Sequence, residues 1–100
     1  MDREQFHRIS KALSDPSRFE ILEHIASAEG EEACSALTDK CPLSQATISH
    51  HVKELVNAGL VKVRRKAKFN FYKLRDDVWA DYLAEMGRRV PRAGAKSMRR

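Results

Sequence analysis

The chain predicts a mainly α fold with one small β-hairpin (α+β), about five helices plus two strands, and three observations carry that expectation. Apolar residues recur every three or four positions over most of residues 3–58. After Gly59 the period changes to two over residues 61–74, then returns to the helical spacing. Ser, Asp, Pro and Gly stand at the joints, where they start and stop helices. One hundred residues make a single small domain, assigned to residues 1–90, with 91–100 as a basic, disordered tail lacking apolar periodicity.

Phe6, Ile9 and Leu13 fall on one side of a first helix over residues 3–13. Asp15 and Pro16 then supply an N-cap and a first helical residue. The second helix buries Phe19, Leu22, Ile25 and Ala26 and ends before Gly30, and a short third helix is expected over 31–39 with Ala33, Ala36 and Leu37 inward. Ser44 caps a fourth helix whose stripe is Ile48, Val52, Leu55 and Val56, stopped by Gly59. At 100° per residue, Ala46, Thr47, His50, Lys53 and Asn57 lie opposite that stripe, with Gln45 and Ser49 on its shoulder. His51 leans toward the stripe and is expected to be structural. Residues 61–65 and 69–74 read as strands joined by Lys66-Ala67-Lys68. Val78, Trp79, Tyr82, Leu83 and Met86 form the stripe of a last helix, ended by Gly87 and Pro91. A short helix, a tight turn, a polar-faced helix and a basic hairpin make a winged helix-turn-helix.

Charge is unevenly distributed. Residues 1–39 carry four basic and nine acidic side chains, whereas Lys62, Arg64, Arg65, Lys66, Lys68, Lys73 and Arg75 have no acid among them. Residues 88–100 add six more bases. A polyanion would meet the hairpin and the tail rather than the whole surface. No apolar run approaches the roughly 20 residues of a membrane span, and two cysteines read as thiols, so the expected location is cytoplasmic. No acid/base pair or nucleophile motif supports an enzyme.

Ala12-Leu-Ser-Asp-Pro-Ser-Arg-Phe-Glu-Ile-Leu22, Leu43-Ser-Gln-Ala-Thr-Ile-Ser-His-His-Val52 and residues 55–61 together resemble the ArsR/SmtB family of bacterial transcription repressors. The resemblance covers about residues 5–86. It implies a homodimeric repressor, released from a double-stranded DNA operator by an effector, whose first and last helices form the interface. Phe6, Ile9, Leu13, Trp79, Tyr82, Leu83 and Met86 are the residues expected there, although the last stripe could instead close the monomer's own core. By resemblance Gln45, Thr47, Ser49 and His50 match positions that reach base edges, and Ser44 the phosphate-binding helix start. Lys53 shares their face, and Arg64, Arg65, Lys66 and Lys68 would flank the duplex as the wing. Relatives usually carry Gly at the wing tip. With Ala67 there, the turn is expected to be of another type, or longer.

The family's usual metal ligands are missing. Its Cys-x-Cys positions correspond to Ala33 and Ser35, on either side of Cys34, and the last helix offers Asp77, Asp81 and Glu85 without a His. No metal or cofactor is therefore expected. Cys41 reads as a buried apolar group, and Cys34 is the candidate sensing thiol, for an oxidant or trivalent arsenic. A winged-helix module for protein or RNA, without an effector, is the alternative function.

Overall fold

A computed structural model describes residues 1–91. Asp2 accepts from the Gln5 N–H at 2.8 Å and opens α1 (Arg3–Ala12). Asp15 accepts from the Arg18 N–H at 3.1 Å and opens α2 (Pro16–Ser27). The chain then forms β1 (Glu32–Ala33), α3 (Cys34–Lys40), α4 (Gln45–Asn57), β2 (Val61–Lys66), β3 (Phe69–Leu74) and α5 (Asp76–Arg89). Among the described residues no helix is long and apolar enough to cross a membrane. The tail expected beyond Pro91 lies outside the described residues.

The core is built around α4. Ile48 and Leu55 are completely covered, Val52 nearly so, and α4 packs on α1, α2, α3 and β2. Ile9 from α1, Ile21 and Ile25 from α2, and Leu37 from α3 fill the opposite side. The end of α4 is closed by two bonds, Gly59 N–H to the Val56 carbonyl at 2.9 Å and Leu60 N–H to the Leu55 carbonyl at 3.0 Å. That is a Schellman arrangement, which needs a left-handed residue after the cap. Gly59 meets the need with φ +85°, and a Cβ there would stand 2.9 Å from the Gln5 side-chain nitrogen. Leu60 and Val61 then carry the chain into the sheet, both buried.

On α2, Phe19 and Ala26 are exposed and Ile21 takes the buried place beside Leu22 and Ile25, so the inward stripe is rotated from the expected one. Four further features depart from expectation. The sheet has three strands, in the order β1-β3-β2, because Glu32 and Ala33 pair antiparallel with Tyr72 and Phe71. The helix expected over 31–39 is accordingly shortened to Cys34–Lys40. The free edge of β3 supplies unpaired backbone groups, and that demand outweighs the weak helical tendency of a single turn. Glu32 is buried with its carboxylate 2.6 Å from Lys40 Nζ, so its charge is matched.

Second, α5 runs through Gly87 to Arg89 and stops just before Pro91, which disfavours helix in the residue preceding it. Glu85 binds both Arg88 and Arg89 across the glycine. Third, the apolar set expected at an interface divides. Phe6, Ile9 and Tyr82 belong to the monomer's own core, with the Phe6 and Tyr82 rings 5.3 Å apart and the Tyr82 hydroxyl 2.8 Å from Ser10 Oγ. They are covered because α1 lies across α5. Leu13 and Trp79 pack partly against that core, whereas Leu83 stays 52% exposed and Met86 39%.

Fourth, the hairpin keeps a two-residue turn, since Lys66 pairs directly with Phe69. Ala67 adopts φ +54° at its first central position, the one glycine takes in a type II′ turn. The turn is thus neither longer nor free of left-handed backbone, and the cost for an L-residue is about 1–2 kcal/mol. The Arg65 Nε donates to the Ala67 carbonyl at 3.2 Å and helps hold it. Replacing Ala67 with Gly removes the strain but gives the unfolded chain more freedom. Ala67→Gly should therefore raise stability by about 0.5–1 kcal/mol in chemical denaturation; a loss of stability would mean that the tip is not left-handed in solution.

Candidate nucleic-acid interface

Burial of the Ile48 stripe dictates which side chains α4 turns outward. Ser44, Gln45, Thr47, Ser49, His50 and Lys53 are all exposed. The Ser44 hydroxyl caps the helix, accepting from the Thr47 N–H at 3.2 Å and lying 2.9 Å from the Thr47 hydroxyl. Ser44 and Thr47 therefore hold each other, while Gln45 and Ser49 keep their polar ends toward solvent. The first bond of the regular helical ladder is Ile48 N–H to the Ser44 carbonyl, so the Gln45 and Ala46 N–H groups precede it. Such a start favours an anion through its N–H groups and dipole. His51 is buried, its ring 6.0 Å from that of His50, and its Nδ1 has no hydrogen-bond partner.

The basic hairpin is less uniform than its composition. Arg64 is engaged inside the molecule: its guanidinium makes three hydrogen bonds of 2.8–3.0 Å with the Glu31 carboxylate and lies 4.8 Å over the Phe71 ring. The same hydrogen bonding holds the Glu31 carboxyl below the usual carboxylate range. Arg65, Lys66 and Lys68 are exposed around the turn, and they are the cations that the fold presents at the tip. Lys62 and Lys73, opposite each other in the register, add two exposed charges that the sequence pattern did not distinguish from the rest.

A cleft separates the hairpin from the helix pair. Gln45 and Ser49 of α4 form one wall with Thr38 and Asp39 of α3, and Lys68 to Phe71 form the other. Cys34 lies in the cleft, half-buried, beside the buried Tyr72. Burial first, then the neighbouring thiol, raises the Tyr72 hydroxyl above its ordinary pKa. Cys41 is buried, which pushes its thiol up as well, and both cysteines are free. Among the described residues no group of three His, Cys, Asp or Glu side chains could hold a metal ion. Asn70, paired with Arg65, and Thr38 also face the cleft. Only strand register and the third-strand pairing bring them there, so neither was visible as a site residue beforehand.

Comparisons with known proteins agree with this architecture. Residues 13–64 match the family model described as a helix-turn-helix domain. The chain is 37% identical over 83 residues to an arsenical resistance operon repressor of Staphylococcus xylosus, covering 83% of this chain and 77% of that protein. Among solved structures, an ArsR-like transcriptional regulator from Rhodococcus sp. RHA1 superimposes with a TM-score of 0.70 at 27% identity, over 96% of this chain and 85% of that one. A homodimeric winged helix-turn-helix DNA-binding domain from Mycobacterium bovis gives 0.69 at 28% identity, over 86% and 83%. The chain belongs to the ArsR family of winged helix-turn-helix transcriptional regulators.

Proposed function

We propose that this protein is a cytoplasmic, homodimeric repressor that reads a double-stranded operator with α4 and steadies itself on phosphates through its wing, acting by binding and not by catalysis. One observation carries the proposal: Gln45 and Ser49 of the outward polar face of α4 and Lys68 of the cationic hairpin tip border the same cleft. Gln45, Thr47, Ser49 and His50 take the base edges, Ser44 and the start of α4 a phosphate, and Lys53 the flank. Arg65, Lys66 and Lys68 take phosphates on the wing side. Arg64 holds the wing through Nε and Nη2 on Glu31, and its half-exposed guanidinium keeps Nη1 for a phosphate.

Dimerisation is supported by the apolar side chains that α5 leaves uncovered, Leu83, Met86 and Val90, and by the homodimeric state named for the M. bovis structure. Two copies would set two half-sites about one helical turn apart, roughly 34 Å. Release by an effector requires differential binding to two dimer arrangements, with coupling of order 1–3 kcal/mol.

Gln45→Ala should flatten the discrimination between operator and scrambled duplex in a shift assay. Arg65→Ala should weaken both alike and shallow the log–log salt slope by about 0.9. Loss of RNA binding or of a protein partner, with duplex binding intact, would instead favour an interaction module. Leu83→Lys should leave the monomer folded, since the side chain is already half in water, yet shift sedimentation from dimer to monomer; an unchanged dimer would remove α5 from the interface.

A further inference from the structure

Phe69 is the most exposed large apolar side chain among the described residues, at 55%. It opens β3 directly after the turn, opposite Lys66, and Lys68 Nζ lies 5.8 Å from its ring centroid. No acidic residue lies between positions 62 and 75. The ring borders the cleft that Gln45 and Ser49 line; of the other exposed apolar side chains, Leu83, Met86 and Val90 belong to α5 and its end, Val63 to β2 and Phe19 to α2. An aromatic ring at a cationic tip fits a surface that is anionic at its edges and apolar between them.

We propose that Phe69 packs against the deoxyribose wall of the minor groove flanking each half-site, an apolar contact set between the phosphate contacts of Arg65, Lys66 and Lys68. This rests on the assignment of α4 and the wing to duplex DNA. Two strands of six residues reach about 20 Å, enough to pass from a major groove about 12 Å wide over one phosphate chain to its neighbour. The phosphate chain crossed on the way fits the cleft, on the side of Lys68 and Asn70, because Asp39 on the α3 wall repels it. Sugar edges supply the C–H surface that phosphates lack, and minor-groove binders do bring apolar side chains into that groove. The sugar contact adds affinity without releasing counterions, so it leaves no mark on the salt dependence.

The test titrates the full chain against its operator duplex over a range of salt, with hydroxyl-radical footprinting of the sugars. Phe69→Ala should weaken binding about tenfold at every salt concentration, the share of a buried Phe that the exposed half represents. Its salt slope should match the parent's, and protection of the minor-groove sugars beside the half-sites should disappear. Phe69→Leu should keep part of both, which separates lost contact from any damage to the hairpin. Lys66→Ala should do the reverse, shallowing the slope by about 0.9 and sparing the sugar protection. Unchanged affinity and footprint for Phe69→Ala, with Gln45→Ala and Lys66→Ala impaired, would overturn the role of Phe69 alone. If those two variants also bind as well as the parent, or the parent binds no duplex, the DNA interface itself falls and Phe69 with it.

Discussion

The burial of Ile48, Val52 and Leu55 is the constraint on which the rest of this molecule depends. Once that stripe faces α1, α2 and α3, the helical period leaves Gln45, Ser49 and His50 no orientation but outward. The Schellman turn at Gly59 then fixes the angle at which the chain leaves α4, and buried Leu60 and Val61 anchor the hairpin to the same core. One packing decision thus places both the polar face and the wing. A larger residue at position 59 would be strained by the left-handed backbone and would also have to displace the flexible end of the Gln5 side chain.

The hairpin would be weakly fixed if it stood on Val61 alone, because an isolated two-stranded ribbon is marginal in water. Its orientation is restrained by two contacts with the segment before α3, and a third ties that segment to α3. β1 adds backbone bonds to Tyr72 and Phe71, Glu31 grips Arg64 with fork geometry, and Lys40 neutralises the buried Glu32. A lone surface ion pair contributes little. Here the Arg64–Glu31 pair is bidentate, stacked on Phe71 and next to a strand pairing, so its parts share the cost of ordering. The acidic character of residues 29–32 acquires a purpose from this arrangement: it secures the base of a hairpin whose tip remains cationic.

Much of this was legible in the sequence, and each exception has a physical cause. Caps at Asp15 and Ser44, the Gly59 stop and the change of period after it are local signals, and local signals placed all five helices and the hairpin. Strand β1 was not legible, because two residues carry no period and their pairing is decided by an edge some forty residues away. The same remoteness hid the engagement of Arg64, which looks like any other wing cation until Glu31 is seen beside it. Ala67 was misjudged for a different reason: the turn length is set by the register of two strands, and the register tolerates a strained residue rather than lengthen the loop. On α5 the stripe was correct, but periodicity alone does not tell which of its members α1 covers. Tyr82 is covered and Leu83, one residue on, is not.

That division of the α5 stripe limits how a change at α5 could reach the outward face of α4. Leu83 and Met86 point away from the core, yet Tyr82 is locked to α1 by the Ser10 hydroxyl and the Phe6 ring, and Arg89 covers the other side of Phe6 at 4.4 Å. α1 in turn packs on α4, with Gln5 against the glycine that ends it. A displacement of α5 therefore drags α1 or breaks a part-buried hydrogen bond and the packing of Tyr82 on Phe6, and close-packed interiors resist the second. Motion of α1 is then carried to α4, the helix whose outward face bears Gln45 and Ser49. The cleft between α4 and the wing, with Gln45 and Ser49 on one side and Lys68 to Phe71 on the other, is where a shift of α4 would register.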